Sequence, residues 1–187
     1  MITKASAILG ISLLTLPALA DEYVIDTNGA HASISFQVSH LGYSFIKGRF
    51  NDFSGTFNYL PNDFTASSVE VTVNTTSLDS NHAERDKHIR SGDFINSSKY
   101  ETATFRSTAI SELNENDFTI DGELTLHGKT KPITIDAILI GEGQDPWGGY
   151  RAGFNGSTRL ELADFDIPVM GDSSYVLLEL HIEGIKQ

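Results

Sequence analysis

Apolar and polar residues alternate with a period of two along most of this chain. Ile34, Phe36 and Val38 alternate with Ser33, Ser35 and Gln37, and Val69, Val71 and Val73 alternate with Glu70, Thr72 and Asn74. Phe118, Ile120, Leu124 and Leu126 share one face of a run whose other face carries Thr119, Asp121, Glu123 and Thr125. Ile133, Ile135, Ala137 and Leu139 repeat the pattern, as do Leu160 and Leu162, and then Val176, Leu178, Leu180 and Ile182. Successive side chains on a strand point to opposite faces, so each run predicts a strand buried on one side and wet on the other. Shorter candidates are 23–25, 45–50, 55–59, 104–109 and 150–154. Turn clusters such as Thr27-Asn28-Gly29, Pro61-Asn62-Asp63, His127-Gly128-Lys129 and Gly171-Asp172 separate them. The lack of a regular strand–helix–strand rhythm argues against a parallel sheet, and many antiparallel strands joined by short turns predict a barrel or a sandwich.

A closed barrel of about eight strands has an interior that side chains just fill, or that holds one small ligand. The alternation by itself leaves both readings open. Gly122 sharpens the question, because it sits on the apolar face between Ile120 and Leu124. It marks either a bulge or corner in the sheet, or space kept free for a ligand.

One segment breaks the pattern. Asn81–Ser91, reading Asn-His-Ala-Glu-Arg-Asp-Lys-His-Ile-Arg-Ser, has the signals of a short helix. Asn81 is a fitting N-cap with Glu84 three positions on, and Gly92 is placed to end it. His82, Arg85, Asp86 and Ile89 share one face, so Arg85 leans inward with the only large apolar residue. An inward arginine beside the free N–H groups of a first turn suits an anionic or polar headgroup. The competing reading is a solvated helix stabilised by local pairs, Glu84 with His88 and Asp86 with Arg90. A metal site is not expected, because His88 lies about 160° around the helix from Asp86 and leaves too few ligands on one face. The other histidines, His31, His40, His127 and His181, are scattered. No Gly-x-Ser-x-Gly elbow or phosphate-binding glycine loop occurs, so the catalytic reading is reduced to His88 or Asp86 acting as an acid or base.

Charge and composition narrow the setting. The chain has 187 residues, a net charge of −12 and no cysteine. The acidic balance argues against nucleic acid as a partner and against lying broadly on an anionic membrane, and no disulfide staples the fold. Lys4, the apolar run Ala5–Leu16 and Ala18-Leu19-Ala20 read as a secretory signal over residues 1–20, leaving residues 21–187 as one domain. No stretch is long enough to span a membrane as a helix.

Four ordered blocks are recognisable together. They are His31–Ser44 followed by Lys47-Gly48-Arg49-Phe50, then Asn74–Phe94, Gly122–Pro132 and Asp145–Phe154. Their sequence and spacing resemble the YceI-like family, periplasmic polyisoprenoid-binding proteins of bacteria. The resemblance implies an all-β fold, a lipocalin-like antiparallel barrel of about eight strands with the helix near 82–91 at its rim and a long apolar pocket. It implies a soluble periplasmic carrier of isoprenoid lipids with no cofactor and no catalysis, and makes a homodimer plausible. Phe36, Phe45, Phe57, Val71, Phe105, Phe118, Leu124 and Phe154 are then the candidate pocket lining, and Arg85, His88 and Asn81 the candidate headgroup contacts. Trp147, the single tryptophan, is either a loop anchor on the barrel rim or a lid or partner contact. An enzyme acting on such a lipid and an envelope-stress interaction protein are the alternatives.

Overall fold

The computed structural model describes residues 20–61, 63–169, 171 and 173–187. The leader expected over residues 1–20 lies almost wholly outside them. Eleven strands and one helix form: β1 (Asp21–Ile25), β2 (Ser33–His40), β3 (Ser44–Phe50), β4 (Phe53–Tyr59), β5 (Ser68–Asn74), β6 (Leu78–Asp79), α1 (Ala83–Ile89), β7 (Thr102–Glu112), β8 (Asp117–Leu126), β9 (Lys129–Gln144), β10 (Tyr150–Glu161) and β11 (Tyr175–Lys186). The first six strands are three broken staves. β1 and β2 lie end to end against β11, through Tyr23↔Lys186 and Val38↔Val176. On their other side β4 pairs with β1 and β3 with β2. β5 and β6 continue the order by pairing with β4 and β3. With β7 to β11 these make eight staves, each antiparallel to its neighbour in sequence, and the β1–β11 pairing closes the ring.

The strands extend the sequence expectations where short runs turn out to be continuous. Residues 150–154 and the Leu160 run belong to one strand, β10, which crosses the whole wall. Leu162 falls in a short 3₁₀ turn after it. The break between β3 and β4 is stitched to the break between β5 and β6, with Asn51 N donating to Ser77 O and Asn74 N donating to Asp52 O. Those bonds satisfy backbone groups that the interrupted ladder would leave unpaired.

The alternation delivers an inward apolar face, and the core fills it from both ends. At one end, which holds the connections 60–67, 113–116 and 145–149, aromatic rings stack: Tyr23 on Phe57 at 4.9 Å and Phe64 on Phe118 at 4.5 Å. Phe154 meets Phe57, Tyr59 and Phe118 edge-on. Burial pushes the Tyr23 and Tyr59 hydroxyls up to about 12, so neither is charged at neutral pH. The opposite end holds α1 and the connections 41–43, 80–101, 127–128 and 162–174. There Phe165 and Ile167 fold inward onto Phe105, Leu124, Ile135 and Leu160.

Gly122 resolves as a corner. A Cβ there would come within 2.4 Å of the Phe105 ring and 2.5 Å of the Arg106 carbonyl. The register of β7 against β8 shifts between Ser107 and Ala109, directly beside it. The space left by the missing side chain is taken by Phe105 rather than kept for a ligand, and the bulge bends the wall around it.

Candidate functional site

Between the two stoppers lies an apolar cavity of about 160 Å³. Phe57, Val71, Phe105, Phe118, Leu124 and Phe154, six of the eight expected lining residues, border it. The same wall includes Ile25, Ile34, Ile120, Ile135, Ala137 and Leu180 from the inward faces of five different strands, and Phe64 from the turn after β4. Phe64 was missed because no periodicity marks it. Its backbone N–H donates to Glu112 Oε1 at 2.8 Å, which draws the turn against β7.

Two lining expectations are corrected. Phe45 is 55 % exposed, on the outer wall with Lys47 and Arg49. Phe50 and Phe45 are an odd number of residues apart on one unbroken strand, so only one of them can face in, and Phe50 does. Phe36 is buried, but its ring lies against Phe50 and over Gly48, away from the cavity.

The helix is shorter than its sequence signals and begins one residue later. His82, not Asn81, is the N-cap, with its Nδ1 accepting from Arg85 N at 3.2 Å. Asn81 precedes it with φ at 62°, its backbone N–H donating to Asp79 Oδ1. The helix ends at Ile89, and Arg90 rather than Gly92 closes it. The inward face is held by Asp86, which is buried and accepts from both Ser80 N and Ser80 Oγ. Arg85 does lean inward, but it bonds Ser80, Nε to Oγ at 2.7 Å and Nη2 to the carbonyl at 2.5 Å. Arg90 reaches the Thr76 and Leu78 carbonyls. His88 stands outside, 3.4 Å from Asp93 and edge-on to Phe94. Arg85, His88 and Asn81 therefore sit together at one end of the barrel, and none of them borders the cavity.

The bonds made by Arg85 lead to a prediction. Arg85→Ala should lower folding stability by about 1–2 kcal/mol, since the buried Ser80–Asp86 arrangement loses its donor. Its affinities for a polyprenyl phosphate and for a neutral prenyl chain should fall alike, as measured by parallel titrations. A loss confined to the phosphate would restore Arg85 as a headgroup contact.

A second polar constellation escaped the sequence analysis. Arg151 on β10 donates through Nη1 to Asp26 Oδ2 at 2.7 Å and Glu183 Oε1 at 2.6 Å, and through Nε to Asp145 Oδ2 at 2.8 Å. His31 Nδ1 lies 2.9 Å from the same Asp26 oxygen. Asp26 is buried; its bonds from Arg151, then from His31 and the Gly29 N–H, hold its carboxyl down to about 2. Arg151 raises its own pKa by the same contacts and lowers that of Asp145. Asp26, His31 and Glu183 offer three ligand atoms close together. The guanidinium already bridges both carboxylates, so its charge takes the place a cation would need. Asp145 also accepts from the backbone N–H groups of Trp147 and Gly149, fixing the loop from which Trp147 projects, 78 % exposed. Trp147 is thus not buried as an anchor. No sequence signal links these residues, which meet only when β1, β10 and β11 assemble.

A closed antiparallel barrel whose inward side chains line a nearly all-apolar cavity defines the class as a small β-barrel. Residues 23–183 match the YceI-like domain, and the chain belongs to that family. A UPF0312 protein of Vibrio vulnificus (strain YJ016) is 68 % identical over 170 residues, covering 91 % of this chain and 90 % of that one. Among solved structures, BcnA of Burkholderia cenocepacia matches with a TM-score of 0.76 at 21 % identity, covering 85 % of this chain and 98 % of that one. A polyisoprenoid-binding domain of Saccharophagus degradans implicated in plant cell wall breakdown matches with a TM-score of 0.64 at 15 % identity, covering 91 % and 100 %.

Proposed function

We propose that this protein is a binding or carrier protein for an isoprenoid-type lipid, a polyprenyl phosphate or a prenyl-quinone-like amphiphile, held in the barrel interior, and that it performs no chemistry on it. The observation that carries the reading is the cavity itself, lined by apolar side chains from the inward faces of the barrel strands. A prenyl chain is all apolar surface, and its burial is favourable by about 25 cal/mol per Å² without precise polar contacts. The polyisoprenoid-binding domain of Saccharophagus degradans, with the same fold, supports the same ligand class. The site of action we infer is the periplasm, from the leader-like residues 1–20. No cofactor is required by this reading, and nucleic acid is not a partner for so acidic a chain. Among the described residues no helix is long and apolar enough to cross a membrane.

The cavity of about 160 Å³ is small beside the roughly 300–1,000 Å³ of a drug-sized pocket. A long chain therefore enters by displacing one of the two stoppers. Phe165 and Ile167 are the more movable, since they come from a connection rather than from the wall. The test is organic extraction of the purified protein followed by mass spectrometry, with prenyl-chain uptake measured on the stripped protein. A prenyl lipid in the extract is the expected result. No lipid recovered together with no uptake would sink the carrier reading, and a chemically altered lipid after incubation would favour an enzyme.

A further inference from the structure

From Thr27 to Asn51 the chain carries no aspartate or glutamate, although it has 25 of them in 187 residues. That stretch forms the β2–β3 hairpin. Its turn points outward at the helix end of the barrel and exposes Leu41, Tyr43 and Phe45 at 47 %, 88 % and 55 %. Val169, in the connection after β10, is also exposed, and Leu41 borders Gly171 of that connection. Leu41 also adopts a positive φ of 54°, next to Gly42 at 74°. A leucine in that region costs on the order of 1 kcal/mol, and a glycine or asparagine would avoid it. The leucine thus occupies a strained position with about half of its surface left exposed.

Directly behind the turn, on the same outer face as Phe45, stand Lys47 and Arg49. At about 3.3 Å per residue, Lys47 lies one pleat, about 7 Å, behind Phe45. Neither cation forms an ion pair with a carboxylate among the described residues. Arg85, Lys87, Arg90, Lys99, Lys129, Lys131 and Arg159 belong to the same half of the barrel. Those cations are interspersed with carboxylates, among them Asp79, Glu84, Asp86, Asp93, Glu101, Asp164 and Asp166, so the contrast is made by the hairpin itself and not by the whole end of the barrel. An acidic molecule thus carries one hairpin that is apolar and aromatic at its tip, basic behind the tip and free of carboxylates.

We infer that this hairpin tip is a docking surface for an anionic phospholipid bilayer. Leu41, Tyr43 and Phe45 enter the interface, Lys47 and Arg49 meet headgroup phosphates, and the opposite end of the barrel faces away. Aromatic side chains favour the headgroup level, and juxtaposed basic residues add attraction to anionic lipid. The inference deepens the carrier reading and rests on it for why a bilayer is the partner, since a prenyl lipid must be collected from one and delivered to one. It also places the mouth of the barrel at the helix end, where Phe165 and Ile167 form the stopper.

The test is flotation of the purified protein with vesicles of phosphatidylcholine alone, and with roughly 30 mol % phosphatidylglycerol added. The parent should float with the anionic vesicles, and less so in high salt. Tyr43→Ser/Phe45→Ser should lower partitioning by at least about tenfold, and Lys47→Glu/Arg49→Glu should remove the preference for phosphatidylglycerol. Trp147→Ser, at the other end, should float like the parent. Thermal melts of each variant check that the barrel is folded, and prenyl uptake in solution is measured on each. A parent that floats on neither vesicle, or tip variants that float unchanged, would overturn the inference while leaving prenyl uptake intact. Light scattering that shows the tip variants dissociating a dimer, with no vesicle binding by the parent, would assign the surface to a second copy instead. A parent that floats but takes up no prenyl chain would overturn the carrier reading alone.

Discussion

Ala137→Phe should abolish prenyl uptake while leaving the barrel folded. Ala137 faces the cavity from β9, between Phe118 on β8 and Gly156 on β10. A ring at this position has open space ahead of it and a glycine at its side, so it fills the cavity rather than forcing the wall apart. Overpacking a tight core typically costs about 1–3 kcal/mol, and filling a void offsets part of that. The melting temperature should therefore stay within a few degrees, since about 1 kcal/mol moves a domain of this size by roughly 2–4 °C. Affinity for a prenyl chain should drop at least about a hundredfold, which is roughly 2.7 kcal/mol of lost burial. Fluorescent prenyl-analogue titration with a parallel thermal melt reads both quantities. Unchanged uptake by a folded variant would mean that lipid is held somewhere other than this cavity.

The largest stability effect should come from Arg151→Ala. Its guanidinium is the single cation among Asp26, Glu183 and Asp145, and Asp26 is only 6 % exposed. Removing one partner of a buried ion pair costs about 3–5 kcal/mol because the other charge is left uncompensated. With 19 % of the Arg151 side chain still exposed, solvent screens part of that, and roughly 2–4 kcal/mol is expected. The pH dependence carries a sign. Asp26 sits at about 2 when folded, below the ordinary aspartate value of 3.8. Its ionised form thus adds stability above pH 4, and this is lost as the pH falls from about 4 towards 2. In Arg151→Ala the main cause of that shift is gone, so the curve of stability against pH should be flatter in this window. Urea unfolding at pH 7, 4 and 3 measures it, and parallel curves for parent and variant would refute the assignment.

The wall of the barrel was legible because alternation is a local signal and survives into the folded state. Ile34, Val71, Ile120, Ile135 and Leu180 all face inward as their parity requires. The errors arise where one residue decides the phase. Phe45 was assigned by hydrophobicity alone, and the parity of its own strand turns it outward. Asn81 has the chemistry of an N-cap, but the turn made by Ser80 and Asp79 uses it one position too early, and the His82 imidazole caps instead. The Arg151 cluster was illegible for a different reason. Asp26 and Arg151 are 125 residues apart, and neither has a local pattern that announces the other. The helix lies between these cases: its existence and its inward Arg85 followed from spacing, while the partner, Ser80, did not.

The ring of staves also fixes an order in time. Seven of its eight seams join segments that follow one another along the chain, so each can zip as soon as its hairpin is made. The eighth joins residues 21–40 to β11 at the far end, Tyr23 opposite Lys186. Bringing such distant segments together is the slow, entropically costly step. Until the twelve residues of β11 are available, β1, β2 and β10 present open edges that can pair with other chains. The C-terminal strand is thus the closing stave, and a chain that loses it is left as an open, adhesive sheet rather than a weaker barrel.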